Sequence, residues 1–112
     1  MVGERSPRRI VIIGAGPGAI ISGYRLTEAG FTDFVMLERQ ARVGGTWARN
    51  RYPGLACDVV SRAYQFSFAL KPDWEAPYAF QPEILEYMER CVDDFGLRPH
   101  IRLETAVRGA RW

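Results

Sequence analysis

The chain has 112 residues, 47% of them hydrophobic and 25% charged, with a formal net charge of +2. That length holds one domain and not two full nucleotide-binding domains, and the composition is that of an ordinary soluble globular protein. Basic residues are scattered apart from Arg5, Arg8 and Arg9, so neither a nucleic-acid nor a membrane partner is expected.

Residues 1–7 read as a flexible leader. Arg9 to Ile13 is a short β-branched run that predicts a strand buried on both faces. Its apolar stretch is far too short for a signal peptide or a membrane span. A glycine turn follows at once. Residues 17–29 then predict a helix, with Pro17 in the first turn, where a missing N–H costs little. Ala15, Ala19 and Gly23 recur every fourth position, so one helix face is nearly bare and can lie close on a sheet. Gly30 stops this helix, and Asp33 to Leu37 predicts a second strand that ends at Glu38.

Residues 40–80 are rich in Gly, Pro and aromatics and show little periodicity. A loop of that length in a compact domain is expected to wrap around something functional. Gln81-Pro82-Glu83 opens an amphipathic helix whose apolar stripe is Ile84, Leu85, Met88, Cys91, Val92 and Phe95. Gly96 ends it. His100 to Thr105 predicts a third strand. His100 itself reads as structural, and Cys91 as core. Cys57 and Cys91 form no CxxC or zinc pattern, so no metal site is expected and a reducing, cytoplasmic setting is the simplest reading.

The chemistry starts at Gly14-Ala15-Gly16-Pro17-Gly18-Ala19, which fits G-x-G-x-x-G/A. Gly14 permits the sharp strand-to-helix turn, Gly16 admits a pyrophosphate against the backbone, and Ala19 is small enough for close helix–strand packing. The unpaired N–H groups and dipole of the helix start supply an anion site. Glu38 lies 20 residues past Gly18, the offset expected of a carboxylate that holds an adenosine ribose. A predicted strand, the turn, a predicted helix and an acidic partner together define a dinucleotide-binding βαβ unit. The fold class is therefore α/β of the Rossmann type, with a parallel sheet that is incomplete within these residues.

Which dinucleotide is decided further on, by Val43-Gly44-Gly45-Thr46-Trp47, Tyr52-Pro53-Gly54-Leu55-Ala56-Cys57-Asp58, Tyr64-Gln65-Phe66-Ser67-Phe68 and Gln81-Pro82-Glu83-Ile84. With these motifs the chain resembles the class B flavoprotein monooxygenases, and among them the Baeyer–Villiger monooxygenases of the 4-hydroxyacetophenone or cyclohexanone type. The resemblance runs from about Arg9 to Trp112. It implies FAD and NADPH as cofactors and a ketone and O2 as substrates, with esters or lactones as products. Gly14, Gly16, Pro17 and Gly18 would line the FAD pyrophosphate and Glu38 the ribose. Gly45, Thr46 and Trp47 would run along the flavin side, with Asp58 and Tyr64 near the ring. Ala56 and Cys57 would lie close to NADPH, and Val107 would meet the adenine through its backbone.

In relatives the aspartate matching Asp58 supports an active-site arginine, which is expected beyond Trp112. On its own Asp58 fits a turn cap as well as a functional carboxylate. Trp47 and Tyr64 also fit a core role, and Phe66 and Phe68 read as core aromatics. The NADPH-binding domain, the substrate region and the signature linking the two nucleotide domains have no counterpart in residues 8–112. Those residues are therefore expected to be the N-terminal portion of the FAD-binding domain, with the remainder of the enzyme missing, and not competent alone for the full cycle. A non-catalytic FAD- or nucleotide-binding module is the alternative. Another two-domain flavoprotein, such as a disulfide reductase, is disfavoured because no CxxxxC follows the first unit.

Overall fold

The computed structural model describes residues 9–112; the expected leader, with Arg5 and Arg8, lies outside them. Strand β1 (Ile10–Ile13) runs into helix α1 (Pro17–Glu28), which returns the chain to strand β2 (Phe34–Leu37). A single turn of helix, α2 (Thr46–Arg49), breaks the long loop, and helix α3 (Gln81–Asp94) follows it. A 3-10 turn at Arg98–His100 leads into strand β3 (Ile101–Arg102). The three strands are parallel in the order β1-β2-β3, with Ile10 opposite Phe34 and Met36 opposite Ile101. The middle strand, β2, ends directly before Glu38.

The bare face of α1 does what its small residues allow. Gly23 is buried, and a methyl group there would lie 3.0 Å from Leu97 and 3.4 Å from Met36. Close helix–sheet packing of this kind needs the absent side chain. Gly30 closes the helix with φ of +85° while its N–H donates to the Thr27 carbonyl and that of Phe31 to Leu26. Helix α3 buries Ile84, Leu85, Met88, Cys91 and Val92 as the stripe requires, and Tyr87 and Gln81 join them. Burial pushes the Tyr87 phenol up to about 12. It stays a neutral hydroxyl that donates to the Ala69 carbonyl and accepts from the Phe66 N–H. Burial likewise raises the Cys91 thiol, which fits its core role.

Two expectations are corrected. Strand β1 is not buried on both faces: Val11 is 53% and Ile13 68% exposed, while Ile10 and Ile12 pack inward. Nothing among the described residues covers the outer face. The third strand is also far shorter than His100 to Thr105. His100 belongs to the 3-10 turn, where its ring stacks on Phe34 and Nδ1 bonds the Phe34 carbonyl. Glu104 has φ of +51°, which turns the backbone out of the ladder after Arg102. The segment then hands its N–H groups to the other side of the site: Glu104 donates to the Gln40 carbonyl and Thr105 to that of Glu38.

The long loop is not structureless. Residues 55–61 and 77–81 run antiparallel, with N–H groups of Cys57, Ser61 and Gln81 donating to the Ala79, Pro77 and Leu55 carbonyls. Phe66 and Phe68 stack at 5.3 Å, and Phe68 lies on Tyr24 of α1 at 4.0 Å. They pack this loop onto the helix, in keeping with the structural reading. Among the described residues no helix is long and apolar enough to cross a membrane.

Candidate functional site

The site is built where β1 ends. Gly14 takes φ of +110°, a conformation open to glycine, and its N–H donates to the Leu37 carbonyl across the strand ends. Gly16 caps α1 without any side-chain cap, and no acidic residue stands in the first turn. Pro17 has no N–H, so the N–H groups of Gly18 and Ala19 are left without an acceptor among the described residues. Partial positive charge gathers there, where an anion would be held.

A second glycine pair supports this turn from below. The Gly44 N–H donates to the Ala15 carbonyl at 2.9 Å. A Cβ on Gly45 would come within 3.0 Å of the Gly16 Cα. The two glycine turns therefore touch backbone to backbone, with no side chain between them.

Glu38 is 5% exposed, and its carboxylate accepts from the Ala15 N–H (3.1 Å, Oε1) and the Gln40 N–H (2.8 Å, Oε2). It fastens the glycine turn to the end of β2 and still faces the cleft with its remaining lone pairs. That half-open cleft has a volume of ≈ 470 Å³ and is lined by Gly14, Gly16, Glu38, Gly45, Thr46 and Val107, all foreseen from sequence. Its size lies in the range of small-molecule sites. Sequence reading missed Arg39, Gln40, Arg49, Thr105 and Ala106 in the same wall. Arg49 was within reach, since it stands four positions after Gly45 in a helical turn.

The remaining foreseen residues lie around this cleft rather than in it. Pro17 and Gly18 form the first turn of α1. Trp47 is buried in the core, and its Nε1–H donates to the Tyr64 hydroxyl at 2.9 Å. Its carbonyl accepts from Gln81 Nε2 at 2.6 Å, which ties α2 to the start of α3. Ala56 is half-buried beside Phe80. The Cys57 thiol is buried, accepting from the Val59 N–H, so a ligand would meet this residue through its main chain. Asp58 is exposed, and its carboxylate has no partner among the described residues.

Removing the Glu38 carboxylate strands the buried Ala15 N–H, at about 1–3 kcal/mol, and leaves the part-buried Gln40 N–H to the cleft, besides any ribose contact. Glu38→Ala is therefore expected to lower both thermal stability and FAD affinity, each by an amount of that order. A variant with unchanged melting temperature and full flavin retention after dialysis would contradict both roles.

A parallel sheet, a glycine-lined helix start and an acidic residue closing the second strand define a dinucleotide-binding α/β domain. The profile of the NAD(P)-binding Rossmann-like domain matches residues 12–90, and the chain belongs to that family. It is 48% identical over 104 residues to a Baeyer–Villiger monooxygenase of Streptomyces coelicolor and 41% identical to one of Pseudomonas aeruginosa. Each alignment covers 93% of this chain and 20% of the relative. Among solved structures it matches OTEMO in complex with FAD and NADP (TM-score 0.85, 39% identity, 96% of this chain and 21% of that one). It likewise matches open cyclohexanone monooxygenase (TM-score 0.80, 42% identity, 86% and 20%). The resemblance seen in the motifs is thus upheld across the fold. The chain spans about a fifth of the length of the curated relatives it matches.

Proposed function

We propose that residues 8–112 are the FAD-binding portion of an NADPH- and O2-dependent flavin monooxygenase that oxygenates ketones to esters or lactones. The observation that carries this reading is the convergence of the uncapped α1 start, the Gly16–Gly45 contact and buried Glu38 on one cleft. The likeness to Baeyer–Villiger monooxygenases supports the reaction class. The neighbour in complex with FAD and NADP supports the two cofactors.

The residues fit the ADP half of FAD. Gly18 and Ala19 would give their free N–H groups to the diphosphate, Glu38 would accept from the ribose hydroxyls, and the Val107 backbone would meet the adenine. Thr46 would follow the cofactor toward its ring, while Trp47 and Tyr64 hold the neighbouring loop in place through their hydrogen bond. When bound, FAD supplies a ring that accepts hydride from NADPH and activates O2. Two free, buried cysteines support a reducing, cytoplasmic setting.

Asp58 has a positional role in this reading. An exposed carboxylate after the cofactor cradle would repel phosphate and is suited to orient a cationic partner. In the product of the complete gene, Asp58→Ala should keep its FAD while turnover with NADPH and ketone falls by up to about 100- to 1,000-fold, the scale of one preorganised electrostatic group. Equal turnover would remove Asp58 from the mechanism. The function as a whole is tested with the same protein, NADPH and cyclohexanone under air. Lactone formed in step with NADPH consumed supports it; FAD bound with no ketone-dependent consumption would leave a non-catalytic flavin-binding module.

A further inference from the structure

Two cations line the cleft beside Glu38, and neither has an ion pair or side-chain hydrogen bond among the described residues: Arg39 and Arg49. They come from different segments, Arg39 from the end of β2 and Arg49 from α2. Arg39 directly follows Glu38 and is exposed. Arg49 is the last residue of α2, and its N–H donates to the Gly45 carbonyl at 2.9 Å, one full turn back. Residues four apart lie on one helix face, and side chains there lean toward the N-terminus. Arg49 thus stands one turn after Gly45 and lines the same cleft, and Gly45 is the residue in backbone contact with Gly16 of the glycine turn. Among the described residues the only acid in the cleft wall is Glu38, which already accepts from two N–H groups and forms no ion pair with either arginine.

We infer that Arg49 is a diphosphate-binding residue, meeting from the α2 side the anion that Gly18 and Ala19 meet from the α1 side. The inference rests on the reading of this cleft as a dinucleotide site and adds the specificity determinant for its phosphates. A guanidinium suits the task because its planar fork bonds two phosphate oxygens at once and keeps its charge at any working pH. Thr46, on the same turn and lining the same cleft, offers a hydroxyl beside it.

The test is calorimetric titration of the complete gene product, freed of flavin, with FAD, ADP and adenosine in turn. Arg49→Ala should weaken FAD and ADP about 10- to 100-fold, the scale of a charge-assisted hydrogen bond. Adenosine, which has no phosphate, should bind as before. Arg49→Lys should recover part of the loss, and the ADP affinity of Arg49→Ala should depend less on added NaCl than that of the wild type. Circular dichroism of both variants checks the fold, which an exposed, unpartnered side chain should leave intact. Wild-type affinity for ADP in Arg49→Ala, or parallel loss of ADP and adenosine in folded variants, would overturn the inference and leave the dinucleotide reading standing. A wild-type protein that binds none of the three ligands would overturn both.

Discussion

Gly16→Val is expected to leave the protein without its flavin. Gly16 sits at φ of −86°, so the backbone itself accepts a side chain. Space does not. A Cβ would already stand 3.4 Å from the Gly45 Cα, and two further methyl groups would have to press on Gly45 or enter the cleft where the phosphates approach. Alanine should be tolerated with a modest loss of affinity, and valine should reduce occupancy at least about 100-fold, because it closes the approach that the fingerprint glycine keeps open. The check is the ratio of flavin to protein absorbance after purification, alongside a melting curve that shows the fold retained. A valine variant that purifies with full flavin would mean that the turn is only structural.

The second large effect falls on the fold. Gly44 has φ of +122°, and an added Cβ would lie 2.6 Å from the Leu85 Cδ1 and 3.2 Å from the Ala48 Cβ. The conformation costs a non-glycine residue about 1–3 kcal/mol, and overpacking adds a similar amount. Gly44→Ala is thus expected to cost about 2–5 kcal/mol, a large part of a small domain's stability. The strain would also pull on the Gly44 N–H bond to Ala15, and so on the phosphate turn. Urea unfolding followed by tryptophan fluorescence measures it. An unchanged midpoint would show that Leu85 moves aside freely and that the second glycine pair is dispensable.

The parts of this molecule legible in its sequence are those in which one residue type has one physical use. Gly14 must turn a strand into a helix, Gly30 and Gly96 must end helices, and the stripe from Ile84 to Val92 must face a core. Each is decided locally, and each stands where it was expected. The misread parts depend on partners far away in the chain. Val11 and Ile13 are as apolar as Ile10 and Ile12, and only the arrangement of other elements leaves their face open. The third strand stops at Arg102 because Glu104 adopts a positive φ, which no residue preference there foretells. The ribbon between residues 55–61 and 77–81 is held by backbone hydrogen bonds, so its side chains carry little alternation. In the site, Glu38 was placed by its offset from Gly18. That its oxygens also fasten Ala15 and Gln40 follows from the folded geometry alone. Trp47, which fitted both a cofactor contact and a core role, is buried in the core and bonded to the Tyr64 hydroxyl, a pairing its motif does not announce.

The central claim is that the glycine turn, Gly45 and Glu38 hold the ADP half of FAD. The most direct test is to purify the complete gene product, release its cofactor by heat or acid, and identify and quantify what comes off. The account predicts FAD, about one per chain, lost from Gly16→Val and depleted in Glu38→Ala, with ADP competing for the same cleft. A protein that carries no flavin, takes up none when FAD is added, and binds NADPH at this turn instead would contradict it.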